Sequence, residues 1–248
     1  MDDARAELAP TGVLRVALNH ANFLLVSRCA PDAMGVAPDL GRELARRLGV
    51  AVSFVGYENA GLAADAAARN EWDVAFIGAD PARERDVAFS PAYVEIDASF
   101  LVPPDSPITS IAEVDAAGVR IAVAERSAYD LFLRRAMQRA TLAYADTIPA
   151  SQAIFARDGL EALAGLKPRL LQDQRSMPGS RILDGRFMAV QQAIGTRRSA
   201  TAGSAFVESF VRDILATGLV ATLVTTHEVV GLTVTNGWSP EESLLPNV

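Results

Sequence analysis

The strongest constraint on this chain is the order in which short apolar runs alternate with helix-patterned segments. Residues 13–18 (VLRVAL) form an apolar run broken only by Arg15, as in a mostly buried strand. Leu40, Leu44 and Leu48 then recur at every fourth position, with Pro38 and Asp39 near the start and Gly49 just past the end, which predicts a helix with both terminal signals. Residues 51–55 (AVSFV) read as a strand, 60–69 as an alanine-rich helix, and 72–77 (WDVAFI) as another strand. Strands and helices in strict alternation point to a parallel sheet covered by helices.

The pattern restarts further on. Residues 98–102 (ASFLV) predict a strand ended by Pro103 and Pro104, and 119–124 (VRIAVA) a second one. Ser127 followed three positions later by Asp130 is a capping-box-like start for a helix carrying Leu131, Leu133 and Met137. Then come a short element at 142–145, helices near 151–158 and 166–174, and strand-like stretches at 181–183 and 187–194. Helices over 202–217, stopped by Gly218, and 220–227 precede a tail rich in Gly, Pro and Asn, while the first residues read as a polar leader. With no fixed-period repeat or low-complexity linker, the two α/β halves are expected to be tightly joined.

Composition sets limits. The 248 residues suit one large α/β domain or two lobes of about 100 residues each. Half are apolar and 21% charged, as in folded globular chains. The formal net charge of -7 and sequence pI of about 4.9 leave no broad basic surface, so no nucleic-acid partner is expected. The single cysteine, Cys29, excludes an intrachain disulfide and a Cys-based zinc site. With only His20 and His227 besides, neither a metal site nor a cofactor is expected. No apolar run reaches the roughly 18 residues that span a bilayer, and the start lacks the basic and apolar regions of a secretory signal. The expected compartment is the periplasm if a signal has been removed, and the cytoplasm if Met1 is the native start.

Motifs for common catalysis are missing: there is no G-x-S-x-G, no H-E-x-x-H, no phosphate-binding G-x-x-x-x-G-K-[ST], and no G-x-G-x-x-G opening a helix after the first strand. His227 falls in the last turn of a helix, where a cation favours the dipole, and reads as structural. His20 lies at a strand end beside Asn19 and Asn22 and is a candidate ligand contact.

Asp80-Pro81-Ala82-Arg83, followed by Phe89-Ser90-Pro91-Ala92-Tyr93, resembles the signature T-P-x-R, then F-S-x-P-Y, of bacterial family 3 solute-binding proteins, the ligand receptors of polar amino-acid ABC transporters. Asp80 stands where that signature has threonine, and the second proline has moved to Pro91. GVLRVALN, GVAPDLGRELARRLGV, EWDVAFIGA, RIAVAERSAYDLFL and ATGLVATLV follow the family in order along nearly the whole chain. The resemblance implies an α/β, two-lobed type II periplasmic-binding-protein fold, two doubly wound sheets joined by a two-strand hinge. Lobe 1 would be residues 1–97 plus 192–248 and lobe 2 residues 98–191, with the hinge near 96–99 and 190–192. The implied function is to close, as a monomer, around a small carboxylate-bearing solute such as an amino acid or organic acid. Delivery would be to the membrane subunits of an ABC transporter, without catalysis.

The same resemblance implies the site. Arg83 would grip the ligand carboxylate with its planar guanidinium fork, beside Gly78 and Ala79. In the second lobe Arg126, Ser127 and Ala128 match a G-T-T anchor at a helix N-terminus, with Tyr129 following. Ser127 keeps the hydroxyl, and Arg126 replaces the glycine. Asn19 and Asn22 take positions that are commonly acidic and aromatic, and Gln191 falls at the second crossing. The family's aspartate for an α-ammonium falls on Leu166, so a ligand without that group, or one gripped differently, is expected. Two rivals remain open: a cytoplasmic sensor or scavenger with the same clamp, and a dehydratase-like enzyme using Glu125 or Glu161 as acid.

Overall fold

The computed structural model of the chain describes residues 1–28 and 32–236. Cys29 and the Gly- and Pro-containing tail from 237 onward lie outside the described residues. In chain order the elements are α1 (Asp2–Leu8), β1 (Val13–Asn19), α2 (Val36–Leu48), β2 (Ala51–Tyr57), α3 (Ala60–Ala66), β3 (Val74–Gly78), β4 (Val87–Phe89), β5 (Val94–Val102), β6 (Arg120–Ala124) and α4 (Ala128–Ala136). They continue with β7 (Thr141–Ala145), α5 (Ile148–Arg157), β8 (Ala162–Leu166), α6 (Lys167–Arg175), β9 (Arg181–Ile182), β10 (Met188–Arg197), α7 (Thr201–Ala216), α8 (Leu219–Thr226) and β11 (Thr233–Val234). Two compact units result, residues Met1–Glu95 with Gln191–Val248, and residues Ile96–Val190. The chain passes between them within β5 and within β10.

In the first unit β1 lies parallel to both β2 and β3, and β10 runs antiparallel to β3. The pleat sorts side chains to two cores. Leu14, Val16, Leu18, Val74 and Phe76 join α1, α2, α7 and α8 on one face; Ala17, Ala75 and Ile77 meet α3 and Trp72 on the other. Burial on both faces explains why β1 reads as a continuous apolar run rather than an alternating one. The four-residue spacing of Leu40, Leu44 and Leu48 is the buried stripe of α2, and Gly49 closes that helix in the left-handed conformation (φ 68°).

The second unit repeats the scheme. β6 is parallel to β7 and β8, β5 runs antiparallel to β8, and β9 pairs with β5. Its core packs Leu101, Ala122 and Leu163 against Phe155, Leu160 and Leu170.

Besides the short strands β4 and β11, which the sequence expectation did not include, three elements depart from it. The polar leader contains α1, whose buried Leu8 packs where a Cβ on Gly203 would come within 2.7 Å of its side chain. β5 starts at Val94 rather than at residue 98. β8, with the sequence ALAGL, is a fully buried strand that lacks β-branched residues and alternation, so nothing local marks it.

Candidate functional site

The strand order β2–β1–β3 reverses direction at β1. In doubly wound sheets the carboxyl ends of the strands at such a reversal are where ligands bind. Asn19 ends β1 and is followed by His20 and Asn22; Gly78 ends β3 and is followed by Ala79 and Arg83. The expected first-lobe residues therefore share one edge of the first unit.

Arg83 closes a 3-10 turn at Pro81–Arg83. Asp80 caps it, its Oδ1 accepting from the Ala82 N–H at 2.9 Å. Arg83 is only 5% exposed, and its Nη1 donates to the Gly78 carbonyl. The Ala79 N–H donates to the Gln191 carbonyl at 2.8 Å, which brings the start of β10 to the same edge. The Gln191 side chain is 8% exposed and its Nε2 donates to Glu95 Oε2 at 2.9 Å. Among the described residues, Gln191 Oε1 and the buried Asn22 Oδ1 have no hydrogen-bond partner. Asn19 Oδ1 accepts from the Ala21 N–H, turning the chain away from the strand. The His20 ring lies against Gly56 on β2, where a Cβ would be 2.2 Å from it.

In the second unit the order β8–β6–β7 reverses at β6. The residues after β6 are Glu125, Arg126 and Ser127, the last capping α4 with its Oγ accepting from the Asp130 N–H at 3.0 Å. Asp130 reaches back to the Arg126 N–H at 2.6 Å and accepts from Arg134 Nε at 2.9 Å. Arg126 has φ 64°, the left-handed region that the family's glycine would take without strain. Tyr129 is buried, and that burial pushes its hydroxyl above the ordinary phenol range. Leu166 ends β8, apolar and 9% exposed; Lys167 follows, pairing with Asp97 at 3.3 Å. Arg186 pairs with the same carboxylate at 2.8 Å. Burial raises the Asp97 carboxyl, but the two cations outweigh it and hold the group below its ordinary value. Sequence reasoning missed this cluster because its members are far apart in the chain.

Glu161 belongs to the other end of the strands, which corrects its candidacy as an acid. It immediately precedes β8 and pairs with Arg120 at the start of β6 at 2.8 Å, its carboxyl held low by the Arg120 hydrogen bond. The first unit has the same device: Arg15 on β1 pairs at 2.7 Å with the buried Asp73, which precedes β3. Glu125 is half-buried and pairs with Arg134 at 3.2 Å. Other residues are structural. His227 Nε2 lies 2.7 Å from Asp39 Oδ2, Arg85 pairs with Asp86, and Ser90 Oγ accepts from the Ile194 N–H, fixing β10. Among the described residues no cluster of His, Cys, Asp and Glu could hold a metal ion, and no helix is long and apolar enough to cross a membrane.

Residues 26–227 match the bacterial extracellular solute-binding proteins, family 3. The chain belongs to that family. Similar solved structures include a mutant of ArgBP from T. maritima (TM-score 0.73, 21% identity, 91% of this chain and 99% of that one). An ancestral amino acid-binding protein, described as a precursor of cyclohexadienyl dehydratase, matches with TM-score 0.71 and 18% identity over 89% of this chain and 97% of its own. AbpA from Streptococcus pneumoniae, bound to L-arginine, matches with TM-score 0.71 and 15% identity over 89% and 96%. At these identities the likeness is one of fold, and this family 3 protein has the type II periplasmic-binding-protein architecture. No curated protein sequence matches the chain.

Proposed function

We propose that this family 3 protein binds a small carboxylate-bearing solute, an amino acid or organic acid, and serves ABC-type uptake by closing around it as a monomer. The observation that carries the reading is Arg83: a buried guanidinium, held on a capped turn at the carboxyl end of β3, beside Asn19, His20 and Asn22. Arginine in such a place takes a carboxylate by two parallel charge-assisted hydrogen bonds. Supporting it in the second unit, Ser127 and Arg126 sit at the N-terminus of α4, where backbone N–H groups and the helix dipole favour an anion. A solute that engages both units shifts the protein toward whichever arrangement lets it do so, with the bends at 96–99 and 190–192. Structural neighbours include L-arginine-bound AbpA and the substrate-binding protein of an amino acid ABC transporter.

An enzyme reading has one observation in its favour, the neighbour described as a dehydratase precursor. Against it, Glu161 is engaged by Arg120 at the opposite strand ends and Glu125 by Arg134. A thermal-shift screen of carboxylates on wild type and Arg83→Ala tests the binding reading, because a ligand specific to the native state raises Tm. A hit is expected to raise Tm of the wild type and not of the variant; hits indifferent to Arg83 would remove it from the site. Turnover of a prephenate-like compound would favour the enzyme.

A further inference from the structure

We infer that the first unit also takes the donor end of the solute, an α-ammonium or an equivalent N–H-bearing cation, on Gln191 Oε1 backed by Glu95. This deepens the carboxylate-binding reading and rests on it.

The argument starts from the buried amide. An ionised carboxylate only accepts hydrogen bonds, so the 2.9 Å contact with Glu95 requires the Nε2 end of Gln191 to face it and leaves Oε1 pointing elsewhere. With the side chain 8% exposed, Oε1 is a desolvated acceptor with no partner among the described residues. Such an atom bears its desolvation penalty uncompensated until something donates to it. Donation by Nε2 to a carboxylate also polarises the amide and strengthens Oε1 as an acceptor. The group that completes it is therefore a donor, and a cationic one gains further from the adjacent Glu95 charge.

Placement joins this acceptor to the anion receptor. The Gln191 carbonyl holds the Ala79 N–H, and the neighbouring Gly78 carbonyl holds Arg83 Nη1. The turn that carries Arg83 after β3, Gln191 on β10 and Glu95 on β5 are thus linked at one end of the first unit's strands. Asn22 Oδ1, a second buried acceptor without a partner among the described residues, lies in the loop leaving β1 at the same end. In the second unit the position where the family's amine anchor is expected, Leu166, is apolar, and Lys167 follows it.

The test is calorimetric titration of matched pairs that differ only in the α-amino group: L-arginine and 5-guanidinopentanoate, L-glutamate and glutarate, L-leucine and 4-methylpentanoate. It uses wild type, Arg83→Ala, Gln191→Leu and the isosteric Glu95→Gln, each first checked for an unchanged circular-dichroism spectrum. For any pair that binds, the wild type is expected to prefer the amine-bearing member by about tenfold or more, the worth of one charge-assisted hydrogen bond. Gln191→Leu and Glu95→Gln should each erase most of that preference and leave the affinity of the amine-free acid within about threefold. Arg83→Ala should weaken both members alike. Equal binding of the two members, or a preference that survives both substitutions, overturns this inference while the Arg83 reading stands. Binding indifferent to Arg83, or none across the panel, overturns both.

Discussion

At the scale of single residues, the two Arg–carboxylate pairs that begin the central strands differ in burial, and burial decides what each contributes. Asp73 is completely buried and accepts from both the Arg15 backbone N–H and its guanidinium. Removing it leaves Arg15 without its buried counter-charge, so Asp73→Ala is expected to cost about 3 kcal/mol in urea unfolding. Glu161 and Arg120 are both about a third or more exposed, and solvent screens them. Glu161→Ala should cost roughly 1 kcal/mol in the same measurement. Glu43 carries the pH dependence. The Arg46 hydrogen bond, opposed by partial burial and aided by Arg47, lowers its carboxyl from 4.5 to about 2. A depressed carboxylate stabilises above its unfolded value and loses that contribution as pH falls through the folded one. Tm of the wild type should therefore fall more steeply from about pH 5 to about pH 2 than that of Glu43→Gln; parallel curves would show that the ion pairs contribute nothing.

At the scale of elements, the N-terminus of α4 does two things that a single substitution can separate. Ser127 caps the helix, and in the proposed function the same N-terminus faces an anion. Aspartate is as good a cap as serine but brings a negative charge. Ser127→Asp should keep the unfolding free energy within about 0.5 kcal/mol and weaken carboxylate binding at least about tenfold by titration. Undiminished binding would make Ser127 a cap and nothing more. Legibility also differed by element. α2 was readable to within a residue because its leucine stripe and Gly49 are local signals. α1 was not, since a seven-residue helix is held by Leu8 docking against α7, and no short window of sequence contains that partner.

At the scale of the whole molecule, a net charge of -7 leaves no overall attraction to phosphate, so the protein should pass through a DNA column at about 0.1 M salt; retention would reveal a concentrated basic patch. The charge arrangement that matters is local: cations at the strand ends of an acidic protein. Sequence alone determined the alternation of strands and helices, the family and the candidacy of Arg83, because each is written in periodicity or in residues adjacent along the chain. Tertiary structure alone decided which end of the strands a charge occupies. Glu161 looked like an acid for the site until the register of β8 on β6 put it at the amino ends, and Gln191 became an orphaned acceptor only when β5 brought Glu95 to its amide nitrogen. The reason is physical: a parallel sheet joins segments scores of residues apart, and hydrogen-bond satisfaction is a property of that pairing, which no local pattern encodes.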